Sequence, residues 1–460
     1  MGVQVIFGPP GTGKTTRLME LLEEELKTVP ADKIAYVSFT KEGAEQGISR
    51  AMAKFNLAKK DFPYFRTLHS LAFKELAMKR TSVMAKSHYR DFSKKMGMHF
   101  VGYYTEDLIN ADDKYLFFTD MYRNNPATAA VYLPTIDVDK LRYVQKNYTA
   151  YKKTFALHDY TDMVEEFNAR NLPAPVTVAF VDEAQDLTTL QWRMVWTAFK
   201  ACDRIYIAGD DDQAIYQWSG ADVDYFLNVE GKQEILRHSH RLPDKVMHFS
   251  KRITDQMTKR IQKEYAGTGT EGSVTVVNSI DEVPIIADET YMFLSRNNVF
   301  LKQVEDLLMK KRLVYTRKGV SSLSVMDVKA IKTYEKVRKT KIATPEDEFT
   351  LLYHLKDGYS LKDPWYDSFK WPLEKIIYVR EMIGTKADLG KCLFNVGTIH
   401  SVKGGEADNV VVLLDITKNV YENLQTNPDS EHRVFYVGCT RAKKRLFIVN
   451  STSRYAYPIY

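Results

Sequence analysis

Apolar and polar positions follow two rhythms along this chain. Short β-branched runs, Val3–Phe7, Ile34–Phe39, Val176–Val181 and Arg204–Ala208, are separated by stretches of helical period such as Arg17–Lys27. That alternation predicts a parallel sheet covered by helices, an α/β fold. The gap between the second and third runs is too long for a simple crossover. From about Lys74 to Leu157 its period is helical, which predicts an inserted α-helical subdomain. From about Glu234 the alternation begins again, with strand candidates at Ser273–Val277, Tyr291–Ser295, Asn409–Leu414 and Arg445–Asn450. These predict a second α/β domain, interrupted by a small insertion from roughly Lys341 to Leu393 that is rich in Trp, Tyr, Lys and Asp. No internal repeat or low-complexity segment is present.

The first chemical signal lies where the first strand turns into a helix: Gly8-Pro9-Pro10-Gly11-Thr12-Gly13-Lys14-Thr15-Thr16. A Gly-rich turn points backbone N–H groups at an anion, and the helix N-terminus adds about half a positive charge. Lys14 would reach the outer phosphates of a nucleotide and the Thr15 hydroxyl would ligate magnesium. A second signal follows the third strand, where Val181 leads into Asp182-Glu183. Adjacent acids suit an NTPase, one holding the metal ion and the next orienting or deprotonating the attacking water. Asp182 takes the first role and Glu183 the second.

Composition adds bounds. The 460 residues suffice for two to four domains. Lys and Arg exceed Asp and Glu by 65 to 59, a mild excess that permits a polyanionic partner without requiring one. Cys202, Cys392 and Cys439 lie too far apart in sequence to form a visible metal or disulfide framework, which points to a reducing compartment. No apolar run approaches the roughly 18 residues of a membrane span, and the phosphate loop leaves no room for a leader. A cytoplasmic protein with no membrane partner is expected, in a bacterium or a phage-infected host.

Further motifs are ordered along the chain: Val37-Ser38-Phe39-Thr40-Lys41, Thr67-Leu68-His69-Ser70, Gly209 to Asp222 with Gln213, Tyr216 and Trp218, and His238-Ser239-His240-Arg241. Thr398 to Glu406 and Arg433 to Lys443 close the set. With the two nucleotide motifs, this series resembles the UvrD/Rep/PcrA group of superfamily 1 DNA helicases through nearly the whole chain. The resemblance implies two RecA-like domains with ATP in the cleft, each carrying an insertion. Residues 1–73 and 158–233 would form the first, with 74–157 inserted. Residues 234–340 and 394–460 would form the second, with 341–393 as a reduced insertion of about fifty residues. The resemblance is thus to a compact, phage-type version of the architecture.

The same resemblance implies roles. Arg241 and Arg441, contributed by the second domain, would meet the γ-phosphate, and Gln213 would sense it. His240 stands where relatives stack a tyrosine on adenine, and Glu406 matches a ribose-contacting acid. The family's upstream glutamine motif has no counterpart before Gly8, so weak base selectivity is expected, with similar kcat/KM for ATP and GTP. Phe39, Tyr216 and Trp218 match base-stacking aromatics, while Thr67, His69 and His400 match other DNA-contacting positions. Ser219 replaces the usual arginine after Trp218. Two basic stretches, Lys74 to Lys95 and Lys310 to Lys318, read either as solvated faces or as strand-contacting surfaces.

The expected activity is ATP- and magnesium-dependent 3′–5′ translocation on single-stranded DNA with duplex unwinding, acting at single/double-strand junctions alongside replication or recombination proteins. Two alternatives are a translocase that strips proteins from DNA and a recombination mediator clamped by ATP. Glu183 argues against the clamp, which needs no hydrolytic base. A helicase-nuclease is not expected, since the chain ends just after the last motif.

Overall fold

The computed structural model describes residues 2–39, 41–56, 58–104, 110–383 and 392–459. Thr40 of the motif around Phe39, residues 105–109 of the expected first insertion and 384–391 of the second lie outside the described residues. The chain divides into two compact units. The first runs to Met247 and adds Lys251–Thr270 and Thr426–Tyr436; the second takes His248–Ser250, Glu271–Gln425 and Val437–Tyr460.

Among the described residues the first unit is built on six strands: β1 (Gly2–Phe7), β2 (Ile34–Ser38), β3 (Phe65–Thr67), β4 (Val178–Asp182), β5 (Arg204–Gly209) and β6 (Lys232–Ile235). Their order is β3-β2-β4-β5-β1-β6, and every pairing is parallel. The central strands read as unbroken apolar runs because both faces are covered. Ala35, Val37, Ala179 and Val181 face one core with helices Leu68–Glu75 and Thr189–Phe199. Ile34, Tyr36, Val178 and Phe180 face another with helix Lys14–Leu26.

Glu234, where the sequence predicts the second domain to open, instead pairs with Ile6 inside this first sheet. The Lys-Gln-Glu-Ile composition of β6 conceals it, because an edge strand with exposed residues carries no apolar run. Between β3 and β4, helices Lys86–Met96, Asp113–Asn124 and Val138–Thr154 enclose a separate apolar core around Phe92, Leu116, Phe118, Val144 and Tyr148.

Among the described residues the second unit has seven strands: β7 (Ser273–Val277), β8 (Tyr291–Ser295), β9 (Tyr315–Arg317), β10 (Val320–Ser321), β11 (Phe394–Thr398), β12 (Ala407–Leu413) and β13 (Ala442–Val449). The order is β10-β9-β11-β8-β12-β13-β7, parallel except for the β9–β10 hairpin. Helix Leu301–Lys310 lays Leu301, Val304 and Leu308 on this sheet. Helix Val325–Thr340 shares a core with Leu351, Trp365, Phe369 and Val379, so its apolar face is covered by the segment read as an insertion from residue 341. The Tyr334 hydroxyl donates to the carbonyls of Ser360 and Asp363 at 3.0 and 2.9 Å, tying the two stretches together. Among the described residues no helix is long and apolar enough to cross a membrane.

Candidate nucleotide and DNA site

At the C-terminal end of β1 the loop from Gly8 turns into helix Lys14–Leu26 through Gly11 and Gly13, both at positive φ. A Cβ on Gly8 would lie 2.1 Å from Lys14 Cγ, because the lysine folds back over the loop and donates to the Gly8 carbonyl at 2.9 Å. This glycine cradle at a helix N-terminus fits a polyphosphate.

Beside it, the Thr15 hydroxyl lies 3.3 Å from Asp182 Oδ2 at the tip of β4. The same carboxylate accepts from the Tyr36 hydroxyl at 2.5 Å, and its other oxygen from the Glu183 amide at 2.9 Å. Burial and the neighbouring Glu183 charge raise the Asp182 carboxyl above its ordinary range, while Tyr36 and Lys14 oppose the shift. A hydroxyl and an electrostatically strained carboxylate are hard oxygen donors that fit a magnesium ion. Glu183 holds a left-handed backbone at φ 54, and its Oε2 accepts from Gln185 Nε2 at 2.6 Å. Gln185 in turn accepts from the Asp210 amide at 3.0 Å, tying the end of β4 to that of β5. Gln213 Nε2 donates to Asp210 Oδ2 at 2.6 Å.

Arg241 was expected to come from the second domain, but it belongs to the first compact unit. The His240 amide donates to the Gly11 carbonyl at 2.8 Å and the Ser239 hydroxyl to the Pro10 carbonyl at 2.7 Å, so the segment that carries His240 and Arg241 is held against the phosphate loop. His400, Glu406 and Arg441 lie in the second unit. Arg441 is 2% exposed and donates to the Val437 carbonyl at 2.9 Å and to that of Gly405, beside Glu406, at 3.4 Å. Glu406 itself is exposed, with Lys443 at 3.7 Å.

Of the expected DNA-contacting residues, Phe39, Thr67 and His69 line one groove of about 690 Å³, together with Arg66 and Tyr160. Thr67 also caps helix Leu68–Glu75 by accepting from the Ser70 amide at 3.2 Å. Tyr160 stands edge-on to His69 at 5.3 Å, and Phe39 lies 5.5 Å from Tyr216. Trp218 stacks on Phe117, from helix Asp113–Asn124, at 5.9 Å and 22°. Burial lowers the His69 imidazole to about 4, so it is neutral near pH 7.

Gln185 and Arg433 lie within sequence motifs without an assigned role, and Tyr36, Phe117, Arg260 and Lys263 escaped sequence reading; Arg260, Lys263 and Arg433 surround the Asp210–Asp212 run. A polar run such as Arg260-Ile261-Gln262-Lys263 gives no sign that its cations are buried. Both basic stretches are partly neutralised: Lys74 meets Glu75 and the Tyr64 ring, Lys95 meets Asp91, Arg312 meets Glu381 and Arg317 meets Glu305.

A glycine phosphate cradle, a hydroxyl–carboxylate pair and an adjacent acid at the strand ends of a parallel sheet define a P-loop nucleotide-binding α/β protein. The UvrD/REP helicase N-terminal domain matches residues 1–234 and the UvrD-like helicase C-terminal domain residues 393–449. The chain belongs to the UvrD/REP helicase family. It is 24% identical over 482 residues to a probable DNA helicase of Mycoplasma pneumoniae, covering 98% of this chain and 80% of that protein. It is 20% identical over 397 residues to the ATP-dependent DNA helicase Rep of Buchnera aphidicola (subsp. Baizongia pistaciae), covering 76% of this chain and 58% of Rep. Similarity to the ATP-dependent DNA helicase PcrA of Leuconostoc citreum is 21% over 360 residues, 69% of this chain and 48% of PcrA. The chain thus spans less than two thirds of the length of Rep and PcrA.

Proposed function

We propose that the chain is a DNA-stimulated ATPase that translocates 3′–5′ along single-stranded DNA and unwinds duplex. The observation that supports this best is the joining of the Lys14–Thr15–Asp182–Glu183 cluster to Gln213 through Gln185 and Asp210, within a unit that also carries the Phe39–His69 groove.

In this reading the loop from Gly8 to Thr16 cradles the phosphates and Lys14 swings from the Gly8 carbonyl onto the outer ones. Thr15 and Asp182 would hold a magnesium ion, which would supply charge neutralisation at the phosphates. Glu183 accepts a proton from the water whose oxygen attacks the γ-phosphorus, and the bond from that phosphorus to the ADP oxygen breaks. Gln185 holds Glu183 in place, so the base needs no reorganisation. Gln213 senses the γ-phosphate, Arg241 and Arg441 stabilise its charge, His240 stacks on the base and Glu406 contacts the ribose. On the DNA side Phe39, Tyr216 and Trp218 stack on bases while Thr67, His69 and His400 contact the strand.

Phosphate release measured with and without single-stranded DNA, followed by displacement of a labelled strand from 3′- and 5′-tailed duplexes, tests the proposal. Stimulation by DNA and displacement from the 3′-tailed substrate are expected. Stimulation without displacement from either duplex would leave a translocase that does not unwind, and no stimulation would remove the motor.

A further inference from the structure

Three cations outside the expected site surround the backbone just ahead of Gln213. Lys263 is fully buried; its ammonium contacts Asp211 Oδ1 and lies 3.2 Å from Asp210 Oδ1 and 3.0 Å from Asp212 Oδ2. Arg260 grips Asp212 with Nε at 2.8 Å and Nη2 at 2.7 Å. Arg433, 1% exposed, donates Nε to the Asp211 carbonyl at 2.8 Å and Nη2 to the Lys259 carbonyl at 2.5 Å. Its Nη1 lies 3.5 Å from Gln217 Oε1.

These contacts form one continuous path. Gln213 donates to Asp210, whose other oxygen meets Lys263; Lys263 meets Asp211, the Asp211 carbonyl receives Arg433, and Arg433 reaches Gln217. Gln217 sits between Tyr216 and Trp218 in the chain. All the ions on the path are buried, and a buried ion that loses its partner is strongly destabilised, so the members shift together or not at all.

We propose that Arg433 and Gln217 are positioning residues that carry a displacement of Gln213 to the stacking pair Tyr216 and Trp218. The proposal rests on the reading of the chain as a DNA-stimulated ATPase. A γ-phosphate competes with Asp210 for the Gln213 amide, and release of Asp210 alters its grip on Lys263. The guanidinium held on the Asp211 carbonyl then passes the change to Gln217. Such a path has physical content only if breaking its last contact alters the coupling between the two sites.

Gln217 is half-buried, so replacing it leaves the buried ions paired. The test compares wild type, Gln217→Leu and Gln217→Glu by phosphate release with and without saturating oligo-dT, alongside oligo-dT affinity and melting temperature. Gln217→Leu is expected to cut DNA stimulation by about fivefold or more, with basal turnover, oligo-dT affinity and melting temperature unchanged. Gln217→Glu still accepts from Arg433 and is expected to keep the stimulation. Wild-type stimulation in Gln217→Leu, or an equal loss in both variants, overturns the path while the motor reading stands. A wild-type chain that hydrolyses ATP equally fast with and without oligo-dT overturns the motor reading and this proposal with it.

Discussion

Gly11 and Arg241 are so closely apposed that a Cβ at position 11 would lie 2.4 Å from the Cβ of Arg241, with Ser239 Oγ at 2.9 Å. Position 11 also holds φ +72, where a side chain costs about 1–2 kcal/mol before any clash. We predict that Gly11→Ala pushes the 239–241 segment off the loop. Melting temperature should fall and affinity for a fluorescent ATP analogue should drop by about tenfold or more. Unchanged affinity would separate Arg241 from the nucleotide site.

Tyr36 is fully buried and its hydroxyl donates to Asp182 Oδ2 at 2.5 Å. Tyr36→Phe leaves a buried carboxylate short of one donor, which should destabilise the fold by about 1–3 kcal/mol. A bound magnesium ion would offer that carboxylate another partner. Added Mg²⁺ should therefore narrow the gap in melting temperature between variant and wild type, and a gap independent of Mg²⁺ would count against Asp182 as a metal ligand.

Glu183→Gln preserves shape and can still accept from Gln185, the contact seen at 2.6 Å. Loss of the proton acceptor alone should lower turnover by about 10²–10⁴-fold while ATP and oligo-dT still bind. Turnover at the wild-type rate would remove the assigned role.

Trp218→Ala removes both an expected stacking platform and the partner of Phe117, 5.9 Å away. Single-strand affinity should weaken by roughly 1–3 kcal/mol, and DNA stimulation should fall more than basal turnover. Phe117→Ala controls for the lost ring pair, which is worth about 0.5–1.5 kcal/mol. If it matches Trp218→Ala in DNA affinity, the tryptophan acts through packing.

Burial holds His69 neutral down to about 4, whereas in an unfolded chain it takes a proton near the ordinary value of about 6.5. Between those values the unfolded state binds more protons, so this residue makes stability fall as pH drops through that window. We predict that wild type loses more melting temperature between pH 6.5 and 4.5 than His69→Gln does. Parallel loss would show His69 titrating normally.

Local features were legible in the sequence and cooperative ones were not. β7 and β8 fall on Ser273–Val277 and Tyr291–Ser295 as their apolar runs predict, since each run carries its own signal. β11 was missed because Asn395 and Gly397 break its run, and its strand character comes from being clamped between β8 and β9. The phosphate loop is legible because its chemistry lies in consecutive residues. Arg260 and Lys263 are not, because what makes them structural is burial against carboxylates about fifty positions upstream. Arg241 was legible as a motif residue but not in its placement, which depends on backbone contacts to Pro10 and Gly11.

The grip of Arg433 on the Asp211 carbonyl spans 222 positions of chain. During synthesis the first sheet can be complete while the Asp211 carbonyl still awaits the guanidinium of Arg433. A nascent or proteolysed fragment ending at Met247 would carry the Asp210–Asp212 acids with neither Arg260 nor Lys263 to neutralise them. The ribosome therefore has to pass Lys263 before those acids are electrically closed, and Arg433 before the Asp211 carbonyl is held.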